Sequence, residues 1–163
     1  MDKKNRCRGF TLIELLIVIA IIVVLISAAA PKFSQILMNA KETAAVAGVK
    51  TIHTGQAQYS SQFGRYAVSL AELGPPASGQ EGPAGANLIG ADLARGLKGG
   101  YKYTVEGTPT GYKSTAVPEA YGNTGRRSFY SDQTMVIREN WGAEPATSNS
   151  PELGEAPAQA PKS

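Results

Sequence analysis

The chain has 163 residues and a formal charge of +3, enough for one modest core and too short for two. Lys3, Lys4, Arg6 and Arg8 against Asp2 account for all of that charge, so the rest of the chain is neutral and an extended nucleic-acid surface is excluded. Cys7 is the only cysteine: no intramolecular disulfide can form, and the basic residues before it are unlike the apolar stretch that a lipid-anchor signal needs.

Residues 10–30 form an apolar run interrupted only by Thr11, Glu14 and Ser27, about the ~20 residues that cross a bilayer as a helix. Four basic side chains precede it, against Lys32 alone just past the other end. The positive-inside tendency therefore puts residues 1–9 in the cytoplasm and everything after Pro31 outside. Glu14 is the anomaly, because an ionisable group within a spanning helix costs roughly 2.5–3.5 kcal/mol on insertion scales. A residue that expensive calls for a partner, unless it sits close enough to the interface to snorkel.

The string Arg8-Gly9-Phe10-Thr11-Leu12-Ile13-Glu14 joins a basic leader, a glycine, a phenylalanine and a buried glutamate at fixed spacing, and it resembles the processing motif of the type IV pilin and type II secretion pseudopilin family. The resemblance implies a structural subunit of α+β fold. A prepilin peptidase would cut between Gly9 and Phe10, and the new Phe10 amine would be N-methylated. Glu14 would then neutralise the Phe10 amine of a neighbouring subunit, turning two charges costly in lipid into one compensated pair. Thr11, Leu12 and Pro31 complete the assembly residues that the resemblance implies. Gly9 suits the peptidase because a residue without a side chain lets the backbone approach closely. A rival reading takes Ala28-Ala29-Ala30 as a secretory signal-peptide site, releasing a soluble binding protein cut after Ala30. Glu14 inside the run, and a proline directly after the cut, count against it.

Past Pro31 a helical period persists. Phe33, Leu37, Ala40 and Ala44 make one stripe, and Ala45, Val49, Ile52, Tyr59 and Phe63 a second. One spine helix over residues 10–63 would be about 80 Å long at ~1.5 Å per residue, too long for a small domain to bury. Its first half is expected to pack in lipid and then against identical helices of a homopolymer, with Pro31 as a kink. His53, the only histidine, falls on the flank of the stripe and reads as a surface or partly packed residue. The aromatics Phe33, Tyr59, Phe63 and Tyr66 read as packing groups.

Gly64 reads as a helix C-cap, and Ser69 with Glu72 as a capping box opening a short helical turn. Leu88, Ile89, Leu93 and Leu97 suggest another short helix, stopped by Gly99-Gly100. Four strand-like runs follow, at residues 101–106, 112–117, 128–131 and 135–139, with Gly/Pro/Asn turns between them. Close spacing predicts an antiparallel meander of about four strands laid on the C-terminal half of the spine. Arg126 and Arg127 read as solvated edge charges. The expected organisation is a leader at 1–9, a transmembrane and assembly half-helix at 10–31, an amphipathic half-helix at 32–65, a globular head at 66–142 and a disordered tail at 143–163.

No nucleophile–base arrangement, phosphate loop or metal-ligand spacing is present in the sequence, so neither an enzyme nor a cofactor is expected. The remaining readings are a type IV pilus subunit for adhesion, motility or uptake, a pseudopilin of a type II secretion system, and the soluble binding protein. Expected partners are the prepilin peptidase/N-methyltransferase, like subunits, an inner-membrane assembly platform and the bilayer itself. The protein would start in the inner membrane and end in a cell-surface pilus or periplasmic pseudopilus. The scattered Asp132, Glu139 and Glu144 lack the acidic cluster of a calcium loop, which leans toward the pilus.

Overall fold

The computed structural model describes residues 10–77, 79–108 and 110–155, with the backbone alone at 28–31. Residues 1–9, on which the expected leader, Cys7 and the expected cleavage at Gly9 fall, and residues 156–163 lie outside the described residues. Helix α1 runs Leu12–Phe63, and the chain divides into two compact units, Met1–Ile36 and Leu37–Ser163.

In the second unit, α1 supplies one layer and an antiparallel sheet the other. After α1 come the single turns α2 (Leu70–Leu73) and α3 (Ala91–Ala94), then β1 (Leu97–Lys98), β2 (Tyr101–Thr108), β3 (Gly111–Pro118), β4 (Arg127–Asp132) and β5 (Ile137–Trp141). The strands pair in chain order, each antiparallel to the next. The meander is as expected, with five strands where the sequence suggested four. The extra strand is β1. Leu97 belongs to it instead of to a helix, because the helical turn is limited to Ala91–Ala94 and Gly96, at φ +80, turns the chain out of it. Leu97 is accordingly exposed and covers no face of the sheet.

Strand alternation builds the core. Tyr101, Tyr103 and Val105 of β2, Ala116 of β3, Phe129 of β4 and Ile137 of β5 turn inward onto Ala45, Val49, Ile52 and Tyr59 of α1. The second α1 stripe is therefore the buried one, with Phe63 partly covered at its end. The first stripe is not: Phe33, Leu37, Ala40 and Ala44 are all exposed. Gly48 is required by close approach, since a Cβ there would lie 2.8 Å from Cε1 of Tyr103. Gly64, at φ +70, ends α1 as expected and donates to Ser60 O at 2.9 Å.

The expected capping box at α2 does not form, because the Glu72 carboxylate reaches one residue past the cap. Ser69 makes no side-chain cap, while Glu72 accepts the Val68 N–H at 3.0 Å and binds Arg65 at 2.9 Å. Residues 143–155, expected to be part of a disordered tail, are instead held against the sheet. Ala146 is buried, Leu153 packs on the core, and Leu153 N–H donates to Ile137 O at 2.8 Å. Their composition is poor in apolar groups, but β5 offers unpaired backbone partners that composition does not register.

Candidate assembly site

The first turn of α1 is a complete capping box. The Thr11 hydroxyl accepts the Glu14 N–H at 3.2 Å, and Oε2 of Glu14 accepts both the Thr11 N–H at 3.0 Å and the Thr11 hydroxyl at 2.9 Å. Thr11 thus serves as N-cap and Glu14 as the reciprocal acceptor three residues on. One carboxylate oxygen is taken up by this arrangement. Farther along, the Ser27 hydroxyl donates to Val24 O at 2.8 Å. The three polar interruptions of the apolar run therefore all have partners within their own turn, which lowers the cost of placing the helix in a water-free surrounding.

Around these polar groups the helix presents unpaired apolar surface on every side. Phe10 is 89% exposed and Leu12 82%, and even the least exposed of the large apolar residues through Ile26, Ile22, stays at 47%. Helices that are apolar all round are buried in lipid or among other helices. No single helix among the described residues passes a length-and-hydropathy test for crossing a membrane, although Leu12–Ser27 and Lys32–Phe63 taken together do. Of the residues singled out from the sequence, Phe10, Thr11, Leu12 and Glu14 lie together in this first turn. Pro31 continues the helical backbone.

The head contains polar groups that sequence reasoning missed. Glu42 is buried on α1, where Oε1 accepts the Arg126 N–H at 2.7 Å and Oε2 the Arg127 Nε–H at 2.8 Å. Arg127 also donates to the buried Glu139 at 2.8 Å, and its guanidinium lies 5.0 Å from the centre of the Trp141 ring. So Arg127 is not a solvated edge charge; it is seated between two buried carboxylates. The signal was present in the sequence. Glu42 falls on the Met38, Ala45, Val49 stripe, and Arg127 shares its strand face with Phe129, so both charges occupy inward positions.

His53 is likewise buried, not superficial. The Ser131 hydroxyl donates to Val136 O at 2.8 Å, so His53 Nε2 must be the donor in its 2.6 Å contact with Ser131 Oγ. Burial holds the His53 pKa below the usual imidazole value, aided by Lys50 and opposed by Asp132. Gln56 is fully buried and clamps the connection after α1 through both backbone groups of one residue, accepting from Ala67 N–H at 2.8 Å and donating to Ala67 O at 3.0 Å. None of these head groups faces another across an open cleft in a nucleophile–base arrangement, and no cluster of metal-ligating side chains occurs among the described residues.

A family model matches on the same N-terminal segment. Residues 4–30 match the prokaryotic N-terminal methylation motif. Over 69 residues, 42% of the chain, it is 41% identical to the type IV major pilin protein PilA of Myxococcus xanthus strain DK1622. The chain spans 31% of that relative's length. No solved structure matches. By motif and by relative, the resemblance to the type IV pilin family holds.

Proposed function

We propose that the chain is the structural subunit of a type IV pilus-like filament. It is made as a membrane-inserted precursor, cut between Gly9 and Phe10 by a prepilin peptidase, methylated at Phe10 and polymerised through α1. The observation that carries this reading is the juxtaposition in one turn of Phe10, the Thr11–Glu14 capping box and an apolar helix with no partner of its own. Lipid covers that surface before assembly, and like helices of neighbouring subunits replace the lipid afterwards. The Glu14 carboxylate receives the Phe10 amine of the adjoining subunit, which selects one docking register over others. The assembly platform of the inner membrane and the peptidase/N-methyltransferase are its partners, and adhesion, motility or uptake the filament's work. Likeness to a major pilin favours this over a type II secretion pseudopilin.

The test is to shear cells, collect surface fibres and identify the chain by intact mass, expecting a mature protein that begins at methylated Phe10. Glu14→Ala should insert normally and yet form few or no fibres, and Gly9→Leu should accumulate as the uncut precursor. Normal fibres from Glu14→Ala subunits, or a mature chain beginning at Pro31, would sink the proposal.

A further inference from the structure

An antiparallel sheet leaves a row of unpaired N–H and C=O groups at each edge, a template on which a second chain can add a strand. At the β1 side that edge is blunted. β1 is two residues long, and beyond Leu97 the β2 edge is occupied by Tyr103 N–H donating to Gly96 O at 2.8 Å and Gly107 N–H to Val68 O at 3.3 Å. The β5 side has no such connection before or after it in the meander. It is covered by residues 150–153.

This cover pairs on its inner side and is shut on its outer side. Facing β5, Pro151 O accepts the Glu139 N–H at 2.9 Å and Leu153 N–H donates to Ile137 O at 2.8 Å, with Arg138 and Glu152 bridging antiparallel. Arg138 adds side-chain bonds to Ser150 O at 2.9 Å and to Glu152 at 3.2 Å. Facing away from β5, the N–H and C=O of Glu152 would offer the next strand its hydrogen bonds. Both are consumed by Glu155: its carboxylate accepts the Glu152 N–H at 3.4 Å, and its own N–H donates to Glu152 O at 3.0 Å. The chain reaches this position by crossing from Gly142, where Glu144 O accepts from Ser128 Oγ at 3.0 Å and from Asn140 Nδ2 at 2.9 Å and Ala146 is buried.

We propose that residues 143–155 are a strap that terminates the sheet and keeps the β5 edge from pairing with the β5 edge of a second copy. A segment that merely extended the sheet would leave its own outer N–H and C=O groups open; this one closes them with a charged turn. Two apolar anchors, Ala146 and Leu153, hold it down, so it covers the edge without being a substantial part of the core. A filament subunit crowded beside its own copies has particular need of such a stop, because heads pairing edge to edge would compete with docking through α1.

The test compares the full chain in detergent micelles with a chain ending at Gly142 and with Leu153→Ser. Amide exchange is read residue by residue and self-association by sedimentation. The shortened chain should exchange the Glu139 amide at least tenfold faster at low protein concentration and should self-associate at least tenfold more strongly, while amides shared by β3 and β4 keep their protection. A peptide of residues 149–155 should reverse both effects, and Leu153→Ser should fall between the two chains. Unchanged Glu139 protection, or unchanged self-association, in the shortened chain overturns the proposal. Loss of protection through β3 and β4 does so as well, since the segment would then be a piece of the core.

Discussion

The described residues of the first unit and the globular second unit manage apolar surface in opposite ways. In the first, the side chains described through Ile26 are apolar with few exceptions and exposed, while the polar groups Thr11, Glu14 and Ser27 are satisfied locally. In the second, the apolar groups bury one another between α1 and the sheet, the buried charges are paired, and both sheet edges are closed. One part is complete by itself, and in the proposed filament lipid or like helices complete the other. The difference means that substitutions in the two parts should separate stability from assembly.

The sharpest way to break this comparison is Arg127→Ala, which leaves Glu42 and Glu139 buried without their cation. Removal of one partner from a buried ion cluster costs about 3–5 kcal/mol, and the part-exposed side of Arg127 puts the expectation near the lower end. Denaturant unfolding of the head should show that loss, and a loss under about 1 kcal/mol would mean that the cluster is more hydrated than its burial implies.

Next comes Gln56→Ala, which strands the Ala67 N–H and C=O in the core. An unsatisfied buried group costs about 1–3 kcal/mol, and amide exchange around Ala67 should quicken alongside a lower unfolding midpoint.

A smaller effect is expected from pH. The His53 pKa is depressed in the folded state, chiefly by burial, so the unfolded chain takes up the proton first. Stability is then full above the ordinary imidazole value near ~6.5 and falls as pH drops from there toward the lowered folded value. Denaturation midpoints between pH 7.5 and 5.5 should decline in the natural chain, and His53→Gln should flatten that part of the decline.

The smallest effect on the head sharpens the contrast. Ile17→Ala should change head stability by no more than about 0.5 kcal/mol, since Ile17 is half exposed and belongs to the other unit. The same change should reduce fibre yield. Equal loss of head stability would erase the distinction between the two parts.

The N-terminal methylation motif was legible from one short string. Its information is local: leader charge, glycine, phenylalanine and glutamate lie within one short string, whereas the Thr11–Glu14 capping box, equally local, was not read from the sequence. The α1 stripe over Ala45, Val49, Ile52 and Tyr59 and the order of the meander were legible too, through side-chain period and turn residues. Harder to read were elements whose state depends on distant partners. Leu97 carries helix-compatible periodicity, yet Gly96 turns the chain and β2 captures it as a strand. Residues 143–155 have the composition of a tail, and β5 holds them by backbone bonds that any residue type can make.

Sequence alone determined the long helix, its apolar first half, the N-terminal methylation motif and an antiparallel meander, because each rests on spacing within a few turns or strands. Tertiary structure decided which α1 stripe is buried, that Arg127 belongs between Glu42 and Glu139, that His53 lies inside, and where the sheet stops. Those outcomes depend on groups as many as 85 residues apart in the chain meeting at hydrogen-bond distance, and no local pattern encodes which of several open partners a buried charge or an unpaired edge will take.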